Sequence, residues 1–191
     1  MESLEPSFND LRHLLKAGRG LSYSGDDPVY YLVFAQDRML EVKRQLKSWA
    51  VKLKHDGWQV ELFSMADAVD SILSNHPLRD IWLTSEKEAP LEFDEINRTL
   101  AEALTTDDTL KKQLEDKLAS LKGRDQTVLF VTDLEALHPY LRVGALEQKL
   151  TGKFVVPTVI FYPGVRAGKT TLRFLGIYPE DGNYRSVHLG G

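Results

Sequence analysis

The chain has 191 residues, of which 42% are apolar and 27% charged, and its formal net charge is −4 at pH 7. These are ordinary values for one globular domain that can bury a core of its own. Because the chain contains no cysteine, it has no disulfide bond, thiolate metal site or cysteine nucleophile.

The N-terminal segment, Met1–Pro6, lacks the basic and apolar regions of a signal peptide. No apolar stretch approaches the roughly 20 residues that are needed to span a bilayer. We therefore expect a cytoplasmic protein that makes no membrane contact.

Charge is distributed unevenly along the chain. Residues 1–137 carry 17 Lys and Arg against 25 Asp and Glu, whereas residues 138–191 carry 7 against 3. The basic C-terminal third would suit phosphate or an acidic partner, or it is a scatter of solvated charges. Because the whole chain is acidic and shows no Lys/Arg stripe, we do not expect direct binding to duplex DNA.

The N-terminal half alternates helical and strand-like patterns. Ser7 can cap a first helix that stops before Gly18. The next elements are a buried strand, a helix, a strand with the alternation of a sheet edge, and a second helix, predicted at Val29–Ala35, Asp37–Lys54, Trp58–Phe63 and Ala66–Ser74. This alternation predicts a parallel α/β sheet.

The middle of the chain is predicted to be helical. Leu78–Leu83 fits either a helix or a strand, and residues 93–121 carry a leucine stripe that is interrupted at Thr105–Asp108. The stripe fits a coiled coil or a surface helix pair that covers the sheet. This helical insertion, at about 86–125, is a candidate partner-facing element.

The remaining part of the chain predicts a strand–helix–strand unit followed by a further strand. These elements are predicted at Thr127–Thr132, Leu134–Leu150, Phe154–Tyr162 and Thr171–Tyr178. Because proline is tolerated only in a first helical turn, Pro139 places the helix start near His138. Pro163 and Gly164 close the strand that precedes them, and His188–Gly191 gives no further strand.

Together these patterns predict a single α/β domain over residues 1–191 with a mainly parallel central sheet flanked by helices. Its layering is P-loop-NTPase-like or Rossmann-like, without a functional Walker A loop. The turn after the first strand, Ala35–Leu40, has no glycine to wrap a phosphate, and Asp37 would repel one. Gly164–Thr171 looks like such a loop but is one residue short and leads into a strand, so we interpret it as a hairpin turn.

Candidate site residues cluster after the third predicted strand. Asp133 follows that strand, where α/β folds place ligand groups; it would hold a metal, act as a base or cap the next helix. His138 and Arg142 are one helical turn apart, with Tyr140 between them, and Arg173 and Arg185 lie on later strands. These residues form either an anion-binding or partner-binding site or a set of structural pairs. The sequence shows no catalytic constellation, and we expect no metal and no cofactor.

Four segments carry a family resemblance. They are Thr127–Arg142 with its Pro-Tyr-Leu-Arg run, Pro157–Gly164 with its Tyr-Pro-Gly end, and Leu172–Gly176 with Asn183–Arg185. With the first strand and the chain length, they make the sequence resemble the BrxB family of BREX phage-defence systems.

The resemblance implies a small cytoplasmic interaction and assembly subunit with no enzymatic activity of its own. Its expected partners are other BREX proteins, first PglZ, which is alkaline-phosphatase-like, and then the large BREX ATPase. The alternative is a degenerate nucleotide- or nucleic-acid-responsive module with an anion site near His138 and Arg142.

Overall fold

The computed structural model describes residues 4–17, 27–168, 171–182 and 186–191. The strands are β1 (Val29–Phe34), β2 (Gln59–Ser64), β3 (Thr127–Thr132), β4 (Thr158–Arg166), β5 (Leu172–Phe174), β6 (Glu180–Asp181) and β7 (Val187–Gly190). The α-helices are α1 (Glu5–Ala17), α2 (Met39–His55), α3 (Met65–Ser74), α4 (Arg79–Glu88), α5 (Phe93–Thr105), α6 (Thr109–Ser120) and α7 (Val143–Lys149). Short 3-10 turns cover Gln36–Arg38, Thr106–Asp108 and Leu134–Leu137.

Within the described residues, seven strands form one mostly parallel sheet. Five of them lie side by side in the order β2, β3, β4, β1, β7, and all four pairings between them are parallel. The short strands β5 and β6 extend β4 through antiparallel pairing. The predicted α/β class and its mainly parallel sheet are therefore confirmed, as is the position of β2 at the edge.

The position of β1 bears on the two layerings that the sequence predicts. In the dinucleotide-binding fold the first strand lies between the second and the fourth. Here β1 lies between β4 and β7, so the connection from β1 to β2 crosses β4 and β3. The strand order is therefore not that of the dinucleotide-binding fold.

The sheet separates two apolar clusters, one on each face. On one face, α1 and α2 pack through Phe8 and Trp49, whose rings stack at 4.8 Å, and Trp49 lies 6.0 Å from Phe161 of β4. The other face is covered by α3, α6 and α7. All six residues of both β1 and β3 are buried, as expected for parallel strands that are covered on both faces.

The leucine stripe of residues 93–121 forms the predicted pair of helices, α5 and α6. Leu110, Leu114 and Leu118 of α6 are buried in the same cluster as α3. Asp107 and Asp108 adopt positive φ between the helices, which is where the sequence places the break. Of the two interpretations of the stripe, a surface helix that covers the sheet is the one that fits α6. The ambiguous segment Leu78–Leu83 is mostly helical, because α4 begins at Arg79.

Three predictions for the last part of the chain were wrong. β4 begins at Thr158, after Pro157, because a proline before the strand cannot donate to the ladder. It continues through Pro163 and Gly164 to Arg166 and pairs with β5. The C-terminal residues do form a strand, since β7 pairs in parallel with Tyr30–Val33 of β1; its alternating pattern is too short to be recognised in the sequence.

The predicted hairpin turn is confirmed by the antiparallel pairing of β4 with β5 and by a hydrogen bond from Ala167 N to Thr171 O of 3.0 Å. No helix in the described part of the chain is long and apolar enough to cross a bilayer.

Candidate functional site

The carboxyl ends of β2 and β3 bring together three polar side chains. Ser64 and Thr132 are register partners at the ends of these strands, and Asp133 directly follows. The hydroxyls of Ser64 and Thr132 each donate a hydrogen bond of 2.8 Å to the same Asp133 oxygen, Oδ2. Asp133 itself has a φ of 60°, which turns the chain away from the sheet.

Lys43 of α2 completes this cluster from the neighbouring helix. Its ammonium lies 2.9 Å from Asp133 Oδ1 and 2.6 Å from Glu135 Oε1. Burial alone would raise the pKa of the Asp133 carboxyl, but the hydrogen bonds from Lys43, Thr132 and Ser64 outweigh it, and the pKa lies below its ordinary value. The hydrogen bonds to Glu135 and Asp133 raise the pKa of Lys43 in turn.

Asp133 is therefore an ionised carboxylate whose two oxygens are engaged by three donors. The sequence offers a cap, a base or a metal ligand for this residue. Asp133 occupies the N-cap position of the 3-10 turn Leu134–Leu137, but its side chain makes no capping hydrogen bond. A depressed pKa makes it a weak base, and the residues that the structure describes contain no group of three or more His, Asp or Glu that could hold a metal ion.

The segment from His138 to Arg142 is not the helix start that the sequence predicts. It is a turn with a cis His138–Pro139 peptide, in which the N–H groups of Tyr140 and Leu141 donate to Leu137 O, and the helix begins at Val143. His138 has a ψ of 136°, since a residue before proline is restricted away from the α region. Pro139 therefore precedes the helix and does not lie in its first turn.

His138 and Arg142 nevertheless meet, at the side chain of Tyr178. His138 Nδ1 is hydrogen-bonded to the Tyr178 hydroxyl, with ring centroids 5.3 Å apart. The Arg142 guanidinium lies over the Tyr178 ring, 4.9 Å from the ring centroid. Tyr178 comes from the turn after β5, where its N–H donates to Phe174 O at 3.1 Å.

Tyr178 is a site residue that the sequence reasoning missed. The sequence predicts it as the last residue of the strand Thr171–Tyr178, whereas β5 ends at Phe174. Its contacts with His138 and Arg142 span 40 and 36 positions of the chain, and no local pattern indicates pairs so distant.

The other predicted site residues lie in different surroundings. Tyr140 is half-buried against the core, and this burial raises the pKa of its hydroxyl. Arg173 on β5 is held by Glu180 of β6, with 2.8 Å between Nη2 and Oε1. Among the described residues, no hydrogen bond or ion pair joins Arg173 to His138 or Arg142, and Arg185 lies outside the described residues.

Pro163 and Gly164 have structural roles beside this site. The Pro163 carbonyl accepts a hydrogen bond of 2.8 Å from Leu175 N. A side chain at Gly164 would meet Arg173 O at 2.3 Å and Tyr162 Cε1 at 2.8 Å. Gly164 therefore permits the close approach of β5 that carries the turn with Tyr178.

A second missed group is Glu147, a carboxyl on the inner face of α7. The hydroxyl of the buried Tyr31 donates a hydrogen bond to it. Burial is the main reason that the pKa of Glu147 lies above its ordinary value, and the carboxylates of Asp27 and Asp181 add to it. The sequence does hold a signal, because Glu147 is one helical turn from the buried Val143.

The comparisons with known proteins identify a family. No curated protein and no solved structure matches the chain. The family model described as "BREX protein BrxB" matches residues 60–189. This range includes Ser64, Thr132 and Asp133 but not Lys43, and it includes the His138–Arg142 segment and Tyr178; it covers well over half of the sequence. The chain belongs to the BrxB family.

Proposed function

We propose that the chain is a non-catalytic interaction and assembly subunit of a BREX phage-defence system and that its partner there is PglZ. Membership in the BrxB family indicates a BREX component. The finer role rests on how the polar groups of the candidate site are used within the chain.

The observation that carries the proposal is that these groups bond to one another. Lys43, Ser64 and Thr132 occupy the oxygens of Asp133. Glu180 holds Arg173. A group that acts on a substrate must be able to bond to the substrate. Because these groups are paired with one another inside the chain, we favour a role in binding other proteins over a role in catalysis.

The test is co-purification. The chain is tagged, expressed with the remaining BREX proteins, and the proteins that elute with it in stoichiometric amount are identified. We expect PglZ, and the large BREX ATPase is the second protein to look for. Elution of the chain alone, while separately tagged PglZ is present and recovered, would contradict the proposal.

The non-catalytic part of the proposal has its own test. The purified chain is assayed for phosphodiesterase, phosphatase and nuclease activity beside its Asp133→Asn and Arg142→Gln variants. We expect no activity above background in any of the three proteins. Turnover that one of these substitutions abolishes would show that the chain is an enzyme.

One observation favours the alternative of a nucleotide-responsive module. The exposed His138 and the half-buried Arg142 meet at one aromatic ring, and an arginine over a ring keeps N–H donors that can bind phosphate. A ligand at about 100 times its Kd stabilises a protein by roughly 2.7 kcal/mol. A thermal shift with ATP and Mg²⁺ that Arg142→Gln abolishes would support this module, whereas no shift at millimolar nucleotide excludes it.

A nucleic-acid-responsive role would rest on the basic C-terminal third. It predicts binding to DNA or RNA that weakens steeply as salt is added. Absence of binding at low salt excludes this form of the alternative.

A further inference from the structure

Helix α4 carries an apolar stripe that is largely uncovered by the described part of the chain. Leu78, Ile81 and Trp82 follow the spacing of one helix face. Leu78 is 46% exposed and Ile81 60% exposed, and no residue of α4 is buried. The preceding helix α3 has the same length and buries four residues, so the difference lies in what each helix packs against.

Two more large apolar side chains are exposed in the segment that follows α4. Leu91 is 80% exposed, and Phe93, the first residue of α5, is 61% exposed. Trp82 is half-buried and stacks on His76, with ring centroids 4.3 Å apart. We call Leu78, Ile81, Trp82, Leu91 and Phe93 the α4 surface.

An uncovered helix of this length is marginal by itself. Isolated helices shorter than about 12 residues are barely stable in water, and most helical stability in proteins comes from packing of an apolar face. A cluster of large exposed apolar side chains on one segment is typical of a protein–protein contact. The α4 surface therefore has the properties of a helix face that a partner covers.

The charges around this surface define the partner's chemistry. Residues 86–95 include one basic residue, Lys87, and five exposed carboxylates, which are Glu86, Glu88, Glu92, Asp94 and Glu95. In the described ranges, no ion pair joins any of these five to a basic side chain. A partner that presents Lys and Arg there would neutralise them, and complementary charges speed association and select the right partner.

We propose that the α4 surface is the docking site for a basic amphipathic segment of the partner protein, with apolar side chains that cover Ile81 and Phe93 and flanking Lys and Arg residues that face the five carboxylates. This inference rests on the proposed function and gives it a surface. The predicted anion site at Tyr178 takes no part in it.

The experiment compares two exposed apolar residues of the same chain. Ile81→Asp changes the α4 surface. Val51→Asp is the control, because Val51 lies on α2 and its exposed fraction, 67%, is close to the 60% of Ile81. Each variant is checked by circular dichroism and a thermal melt, and its binding to purified PglZ is measured by surface plasmon resonance. We expect Ile81→Asp to weaken binding at least tenfold, about 1.4 kcal/mol, and Val51→Asp to leave binding unchanged.

A second variant tests the charge of the partner. Replacing Glu92 and Asp94 by Lys should slow association, and the wild-type affinity should fall as salt is raised from about 0.05 M to about 0.5 M, over which screening shortens the range of charge interactions. If the affinity changes neither with salt nor with this double substitution, the partner's docking segment is not basic.

The remaining outcomes separate this inference from the proposed function. If wild type and both Asp variants bind PglZ equally, the α4 surface is not the docking site and the proposed function stands. If wild type does not bind PglZ, the proposed function fails, and this inference fails with it. A wild-type dimer that Ile81→Asp converts to a monomer would show that a second copy of the chain covers the surface, which also overturns the inference.

Discussion

Lys43 joins α2 to the carboxyl end of β3 through Asp133, with 2.9 Å between Nζ and Oδ1. The Asp133 side chain is 19% exposed, whereas that of Lys43 is 45% exposed. The ammonium thus reaches from the surface to a carboxylate that water contacts only partly. Without this cation, the hydroxyls of Ser64 and Thr132 would be left to stabilise the charge.

The Lys43→Met variant should therefore be less stable than wild type at neutral pH. A partly buried charge that loses its partner costs about 1–3 kcal/mol, measurable as a lower midpoint in urea. Because the Asp133 pKa is depressed in the folded protein, its ionised form contributes stability above the unfolded pKa that is lost as pH falls through the folded pKa. Removing Lys43 raises the folded pKa towards the unfolded one, so the variant should lose less stability than wild type as the pH falls.

Lys47→Met is the matched control for this variant. Lys47 is exposed on the same helix and forms no ion pair within the described residues. Its substitution should leave the urea midpoint within error of wild type. Equal losses in the two variants would show that the Lys43 effect comes from the helix and not from Asp133.

The ion pair between α1 and the end of α2 predicts a pH dependence of stability. Arg12 and Lys16 hold Asp56, and the hydrogen bond from Arg12 is the main cause that lowers the pKa of Asp56 to about 2. The stability from this carboxylate is present above its unfolded pKa, near 3.9, and is lost as pH falls through about 2. In Asp56→Asn we expect a loss of about 1 kcal/mol at pH 7, the upper end for a solvent-screened pair.

Urea unfolding of Asp56→Asn at pH 7 and at about pH 2 tests this directly, because the difference from wild type should shrink at the acid end. Asp10→Asn on α1 serves as the control, since Asp10 is exposed and forms no ion pair in the part of the chain described here. A pH-independent difference for Asp56→Asn would rule out the titration of this carboxyl as its source.

The sheet could be predicted from the sequence because its central strands are buried and rich in β-branched and aromatic residues. β1 and β3 were predicted from uninterrupted apolar runs, and α2 from its apolar stripe and the stop at Gly57, which has a φ of 90°. β7 could not be predicted in this way. It has four residues and one buried side chain, Leu189, and its place is fixed by the open edge of β1.

The candidate site was harder to predict because its contacts are not local. The helix rule for Pro139 failed since a proline also restricts the residue before it, and His138 takes the extended conformation. The pairing of Asp133 with Lys43 depends on how α2 lies on the sheet. The spacing of residues along the sequence predicts neither this pairing nor the contact of Arg142 with Tyr178.

Gly164→Ala should destabilise the β4–β5 pairing. The added methyl group would lie 2.3 Å from Arg173 O, which is backbone and cannot move aside without shifting β5. Overpacking of this kind costs about 1–3 kcal/mol, to be measured by thermal and urea unfolding. Gly168→Ala in the same hairpin is the control, because its methyl group would meet the Thr171 side chain at an ordinary 3.6 Å; a Gly164 variant as stable as this control would contradict the predicted clash.

Substitutions at Tyr178 should separate its two contacts. Tyr178→Phe removes the hydroxyl that bonds His138 and keeps the ring under Arg142, whereas Tyr178→Leu removes both. A cation–π contact contributes about 0.5–1 kcal/mol, so the free energy of unfolding, measured in urea, should be lower for the Leu variant than for the Phe variant by at least that amount. In an Arg142→Gln background this difference should shrink by about the cation–π contribution, and an unchanged difference there would assign it to packing of the ring against His138 and Phe174 alone.

Hydrogen exchange should show that α4 is the less stable of two neighbouring helices of equal length. Met65, Ala68, Val69 and Ile72 anchor α3 in the core, whereas α4 buries no residue. Amide protection follows the free energy of local opening, which is small where few apolar contacts must be broken. We therefore expect the amides of Trp82–Glu88 to exchange much faster than those of Val69–Ser74 in the free protein, by mass spectrometry at neutral pH. Equal protection would mean that α4 is held by contacts other than burial and would remove the reason to expect a partner to stabilise it.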